Sequence, residues 1–351
     1  SQLWPSEALA AVGVLDSFAA VGDADPVGPE HGLPDERRWW SAQDKPPARV
    51  LAVRDLDLVD DDAWPAALRL LAERPETWHA ISEPGGHAGW WVSRYAVISG
   101  HSPRQWRLPD CAELAGLYEP VPEVGLRRDL LVAAGVRDRL TVEDLDDAAD
   151  LVDRLGDAAL RPHPGVVLRA HTTLARLAGD PVLDLSRLDP PDAVRVLDGS
   201  VAEADHACVL DAPWLLEVAD PGILVGCAGG AEELGELFDL PLASEVVRGE
   251  VDSSGDFAAW SDLAAVSAVA GLLGVEVPDG GVSTHAELMV RVDGDRRAAR
   301  WWVAEGEQRL VHAEDSVEGL ARAFAFAIGR WETRHLIAEL LAEPEARTLL
   351  G

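Results

Sequence analysis

The stretch from Arg300 to Leu341 restricts the fold more than any other, because its signals agree on a hairpin feeding a long, capped helix. Val317, Leu320, Ala321, Phe324, Ala327, Ile328 and Trp331 recur at the three-and-four spacing that lines one helical face. Asp315 stands before that face and Glu318 follows it by three, the arrangement of a capping box, while Pro344 marks the stop. An amphipathic helix of this kind needs a partner layer, and the hairpin supplies one. The block dictates architecture and carries no chemistry.

At 351 residues the chain exceeds what one ordinary core serves, so two domains are expected. An apolar fraction of 48% with 26% charged residues can support a packed core. The formal charge of −32 opposes a phosphate backbone and an anionic bilayer, and no basic face offsets it, so neither nucleic acid nor membrane is expected as a partner. Cys111, Cys208 and Cys227 form no Cys-x-x-Cys pair, which indicates neither a disulfide framework nor a thiolate zinc site and fits a reducing cytoplasm. The start at Ser1, with Met289 as the sole methionine, is read as that of a fragment of a longer polypeptide.

Three segments are expected. Residues 1–48 form an extended lead-in, since Pro26, Pro29, Pro34, Pro46 and Pro47 break helices and central strands. Residues 49–191 form a mixed, mainly helical domain with a strand over Val50–Val59, a helix after Asp60, Asp61 and Asp62, another strand over Gly89–Ile98, and a helix capped by Thr141. The break at Pro190 and Pro191 opens an α+β domain, residues 192–351, that begins with a hairpin turned at Asp198–Gly199 and ends in the long amphipathic helix. The predicted fold is therefore α+β: a mainly helical first part with a small sheet, then antiparallel strands packed on the terminal helix.

No catalytic, cofactor-binding or metal-binding residue can be named. Gly-x-Ser-x-Gly, both glycine-rich phosphate loops and His-Glu-x-x-His are missing from the sequence. The loop Gly226–Gly230 comes nearest to a phosphate cradle and reads better as a strand-to-helix connection. His285 and Glu287 share a strand face without a third ligand, and His335 falls on the apolar face of the terminal helix. The Trp-Trp pairs remain. Adjacent strand residues face opposite sides, so Trp90 with Trp91 and Trp301 with Trp302 would each bury one ring and offer the other to a partner, unless both sheet faces are covered.

The terminal block, with Arg300–Val303, Val311–Ala313 and Gly329–Leu336, resembles the C-terminal end of large actinobacterial proteins related to sacsin, which carry an Hsp90-type ATPase domain at their N-terminus. Val12–Phe18, Ala52–Ala67, Gly116–Pro120 and Asp239–Val246 are similar to the same family. The resemblance implies a fragment that lacks the ATP-binding region and holds no cofactor. It would serve a chaperone-like machine by binding a client, a protein partner or another copy of itself. A free-standing enzyme would instead bring acids such as Asp110 or Asp211 and histidines such as His87 or His101 into one cleft, and a structural spacer would show neither pocket nor apolar patch.

Overall fold

The computed structural model describes residues 17–43, 45–180, 183–304 and 310–342. The Pro344 stop, most of the Val12–Phe18 segment and the tip of the terminal hairpin lie outside them. The protein is α+β. The chain divides into two compact units, one comprising residues up to Val142 with Leu160–Val166, the other Glu143–Ala159 with the chain from Val167 onward. The Pro190–Pro191 break lies inside the second unit.

In the first unit, β1 (Ala20–Asp23) pairs antiparallel with β2 (Val50–Val53), and α1 (Glu36–Ser41) lies between them in sequence. The lead-in is thus partly ordered into regular elements. The expected Val50–Val59 strand stops at Val53, and Asp55 takes a left-handed backbone that leads into a helical turn at Leu56–Leu58. Helices α2 (Trp64–Glu73), α3 (Pro75–Ser82) and α4 (His87–Tyr95) follow, then the short parallel pair β3 (Trp106–Arg107) and β4 (Glu119–Pro120), and α5 (Arg128–Ala133). Helix α4 replaces the strand expected over Gly89–Ile98. Burial there falls on His87, Ala88, Trp91 and Val92, adjacent pairs recurring after a turn, where a strand would alternate.

The second unit opens with α6 (Leu145–Gly156), whose cap is Asp144, accepting the Asp147 N–H, and not Thr141. Helix α7 (Pro164–Ala178) follows. The hairpin of β5 (Ala193–Arg195) and β6 (Val201–Glu203) turns at Asp198–Gly199 as the sequence predicts, with Gly199 at φ +86°. The fully buried Arg195 donates to the carbonyls of Leu155, Asp157 and Gly199, so it satisfies the end of α6 and its own hairpin together. Next come the parallel pair β7 (Cys208–Val209) and β8 (Leu224–Val225), then α8 (Ala231–Phe238), α9 (Ala243–Val246), β9 (Gly249–Val251), β10 (Asp256–Ala259) and α10 (Ala264–Leu273). Strands β11 (Gly281–His285), β12 (Met289–Val292), β13 (Asp295–Ala298), β14 (Trp301–Ala304) and β15 (Leu310–Glu314) precede α11 (Val317–Ala327) and α12 (Arg334–Ala342). They form a four-stranded sheet ordered β10-β11-β15-β14, in which β11 and β15 run parallel, and a three-stranded sheet ordered β13-β12-β9.

The expected single terminal helix is two. Gly329 takes φ +66°, Arg330 N–H donates to the Ala325 carbonyl at 2.9 Å, and Gly329 N–H donates to that of Phe326 at 3.0 Å. These two bonds are a Schellman closure, which a left-handed glycine permits. The N-cap is Ser316, which accepts the Gly319 N–H at 3.1 Å. Asp315 is held instead by its own N–H on the His285 carbonyl, and Glu318 reaches Arg300 and Arg322. With the helix broken, the phase counted from Val317 lapses. His335 is exposed while Ile337 and Leu340 are buried.

Candidate functional site

Of the four tryptophans expected to meet a partner, Trp91, Trp301 and Trp302 are buried in this fold. Trp301 and Trp302 are 0% and 2% exposed, because both faces of β14 are covered. Trp301 stacks on Trp331 and meets Trp214 and Phe326, while a side chain at Gly249 would strike the Trp302 ring, so only glycine lets β9 lie that close. On α4, Trp91 is buried and donates to Asp35 at 3.2 Å, and Trp90, partly buried, lies under the Arg94 guanidinium. The proposed enzyme residues each have their own partners. His87 is buried beside Trp39 with Nε2 on the Pro34 carbonyl, His101 sits at the edge of Trp106, and Asp110 pairs with Arg128. Asp211, in the second unit, accepts from Ser244.

What the first unit offers is a cleft of about 750 Å³. One wall is formed by Gly22, Asp23 and Ala24 at the end of β1, and by Ala48 to Leu51 entering β2. The opposite wall is His79 of α3 and the turn Glu83–Gly86, tied to α1 by the Trp39 indole N–H, which donates to the Gly85 carbonyl at 3.0 Å. Arg49 donates from Nε and Nη2 to one oxygen of Glu83, at 2.8 and 2.6 Å. The other Glu83 oxygen is buried without a partner among the described residues.

A strap of chain between β1 and α1 fixes this cleft's rim. Proline at 26, 29 and 34 prevents regular structure, so the strap's amides need other acceptors. Buried Glu36 supplies them, accepting the N–H groups of His31 and Leu33. The His31 ring spans two carboxylates, with Nδ1 2.5 Å from Glu36 and Nε2 3.0 Å from Asp23. The hydrogen bond to Asp23, then that to Glu36, raises the His31 pKa above its ordinary 6.5. Burial by itself would push the Glu36 carboxyl up, but His31 and the strap amides together hold it below the usual range. Asp23 is lowered by His31. The result is a carboxylate–imidazolium–carboxylate clamp with one surplus negative charge, ending at the cleft.

A second histidine cluster lies in the second unit. Ser253 Oγ accepts the Met289 N–H at 3.1 Å and sits 2.9 Å from His285 Nδ1, and His285 Nε2 sits 2.9 Å from His312 Nδ1. Burial lowers the His285 pKa, and burial together with the neighbouring His285 lowers that of His312 to about 4. With both rings neutral, one imidazole donates to the other and the Ser253 hydroxyl completes the chain at His285 Nδ1, the sense of both bonds following the His285 tautomer. Serine beside histidine invites a nucleophile reading. Burial disfavours the protonated form of His285, however, and the chain instead ties the β9–β10 turn to β11, β12 and β15.

The loop Gly226–Gly230 is also structural: the buried His171 holds the Gly226 carbonyl and Thr172 accepts the Ala228 N–H. The donor atoms of Glu203, Asp205 and His206 lie within 4.8 Å of one another, but all three residues are exposed and already pair among themselves. Among the described residues no helix is long and apolar enough to cross a membrane.

Sequence reasoning missed His31, Glu36, Arg49 and Glu83. The strap's prolines were the available signal, since amides in a proline-broken segment beside an acidic residue need an acceptor. It also paired His285 with Glu287, whereas the parallel register of β11 and β15 delivers His312. Compared with known proteins, the chain matches no family model, no curated protein and no solved structure.

Proposed function

We propose that this chain is a non-catalytic, partner-binding region of a chaperone-like protein of the Hsp90-type ATPase class, and that its first unit receives a segment of a client or partner protein in the Asp23–Glu83 cleft. The observation that carries this reading is the cleft itself. It is large enough for a few residues of extended chain, and its walls mix strand backbone, proline and alanine surface, and a few fixed polar groups. Such a lining suits a peptide whose backbone and side chains are both engaged. The placement in an ATPase machine rests on the sequence resemblance alone, and the binding face moves from the tryptophans to the cleft because the Trp301 and Trp302 rings are covered.

The test uses the full chain against an array of short peptides tiled from unrelated unfolded proteins. Gly22 lines the cleft and a Cβ added there would meet no heavy atom within 4 Å, so Gly22→Phe brings a ring to the cleft without a clash at its Cβ. The expected result is that a subset of peptides is retained by the wild type and lost by Gly22→Phe. Retention unchanged by the substitution rules the cleft out.

A further inference from the structure

We propose that the segment bound in the cleft is cationic: an extended stretch of a partner protein that presents arginine or lysine to Asp23. The inference rests on the binding reading above and names the chemistry of the occupant.

The argument is one of charge already committed and charge left over. Among the described lining residues, Arg49 is the only arginine or lysine, and two of its donors close on one oxygen of Glu83, so that cation is already spent on a carboxylate inside the cleft. On the other wall, Asp23 shares His31 with buried Glu36, two carboxylates to one imidazolium. The surplus charge is delocalised over that clamp, but only Asp23 reaches the cleft, with its side chain 40% exposed. An anionic ligand at Arg49 would lie beside the Glu83 carboxylate that the same guanidinium holds and would face Asp23 across the cleft. A cationic ligand has those two carboxylates to face and only the paired Arg49 against it.

The surroundings favour the same sign. The first unit carries 22 acidic against 15 basic residues, and the whole chain has a formal charge of −32, a field that raises the encounter rate of basic partners. Pro47, Ala48 and Pro84 provide apolar surface along which the methylene stem of lysine or arginine lies while its head reaches a carboxylate. The Gly22–Ala24 backbone at the end of β1 runs along the same cleft, beside a bound chain.

The experiment measures binding of three fluorescein-labelled octapeptides, (Gly-Arg)4, (Gly-Ser)4 and (Gly-Glu)4, to the full chain by fluorescence anisotropy at low and physiological salt. Two substitutions of similar bulk at one position separate charge from sterics: Gly22→Lys and Gly22→Glu. The expected outcome is (Gly-Arg)4 binding at least tenfold tighter than (Gly-Ser)4, weakening with salt, a tenfold or greater loss in Gly22→Lys, and no loss in Gly22→Glu. Equal loss in both variants, or (Gly-Glu)4 binding as tightly as (Gly-Arg)4, overturns the cation assignment. Tight (Gly-Arg)4 binding indifferent to both variants means attraction to acidic surface elsewhere and also overturns it. The two readings fail separately. Array peptides lost on Gly22→Phe but showing no basic preference refute only the cation assignment, whereas peptides indifferent to Gly22→Phe refute both.

Discussion

His31 and His285 each use both ring nitrogens, yet the two units put them to opposite use. His31 is set between Asp23 and Glu36, so the proton it gains is the reason the strap holds. His285 is set between a hydroxyl and a second imidazole, and a proton there would be a charge facing no carboxylate within hydrogen-bond reach. Burial acts on both. What differs is whether the fold brings an anion along, and that decides whether a buried histidine is a charged fastener or a neutral one. Cleft and strap are therefore electrostatic constructions, while the second unit's sheets are joined by a neutral polar chain within apolar packing.

The largest expected effect comes from breaking the clamp. His31→Ala leaves Glu36 buried without its cationic partner and should destabilise the first unit by about 3 kcal/mol, since removing one member of a buried pair exposes the other's desolvation cost. Adding Glu36→Gln should recover part of that loss. Hydrogen exchange resolved by peptide reports the first unit separately, and equal protection of α1 in the variant and the wild type would show that the strap is not held by charge. The clamp also has a pH window. Its carboxylates are lowered, so their contribution is lost as pH falls through their folded values; His31 is raised, so its contribution is complete below 6.5 and is lost as pH rises through its folded value.

Below pH 6.5, where the His31 contribution is complete, the second unit should instead lose stability. His171 is fully buried, its Nδ1–H donates to the Gly226 carbonyl, its Nε2 has no partner among the described residues, and burial, with a small repulsion from Arg195, brings its pKa to about 4. The unfolded chain protonates this ring below 6.5 and the folded one does not, so stability is intact above that value and declines as pH falls below it. At pH 5 the linkage amounts to about 2 kcal/mol for His171 alone. His285 and His312 add in the same direction, with the Ser254 backbone and then Asp256 working against burial at His285. Thermal unfolding between pH 7.5 and 5, with His171→Leu as the control that flattens the slope, reads this directly. An acid-insensitive second unit would mean that its histidines are hydrated in solution.

Much of this architecture was legible before any coordinates. The α+β class, the Asp198–Gly199 hairpin and the β14–β15 hairpin leading into a helix follow from periodicity and turn chemistry. Glycine inside a helical pattern is a candidate C-cap, and Gly329 interrupts an apolar spacing that runs on to Trp331. The Trp-Trp pairs misled for a clearer reason. Adjacency says that two rings face apart only if the segment is a strand, and it says nothing of what covers either side. Trp90–Trp91 failed the first condition and Trp301–Trp302 the second. The clamp and the histidine chain depend on which loop or parallel strand arrives opposite, and no local pattern contains that.

A gentler substitution sharpens the contrast between the two histidines. Ser253→Ala removes the hydroxyl at the head of the chain, leaving the Met289 N–H and His285 Nδ1 each short of a partner. Both are neutral, so the expected loss is about 1 to 2 kcal/mol, below that of His31→Ala, where a charge is stranded. Denaturant unfolding followed by hydrogen exchange of the β14 and β15 peptides measures it, because β15 carries His312 at the end of the chain. A loss as large as that of His31→Ala would mean that the serine–histidine chain holds charge after all. An unchanged midpoint would mean that water replaces the hydroxyl at no cost and that apolar packing alone joins the two sheets.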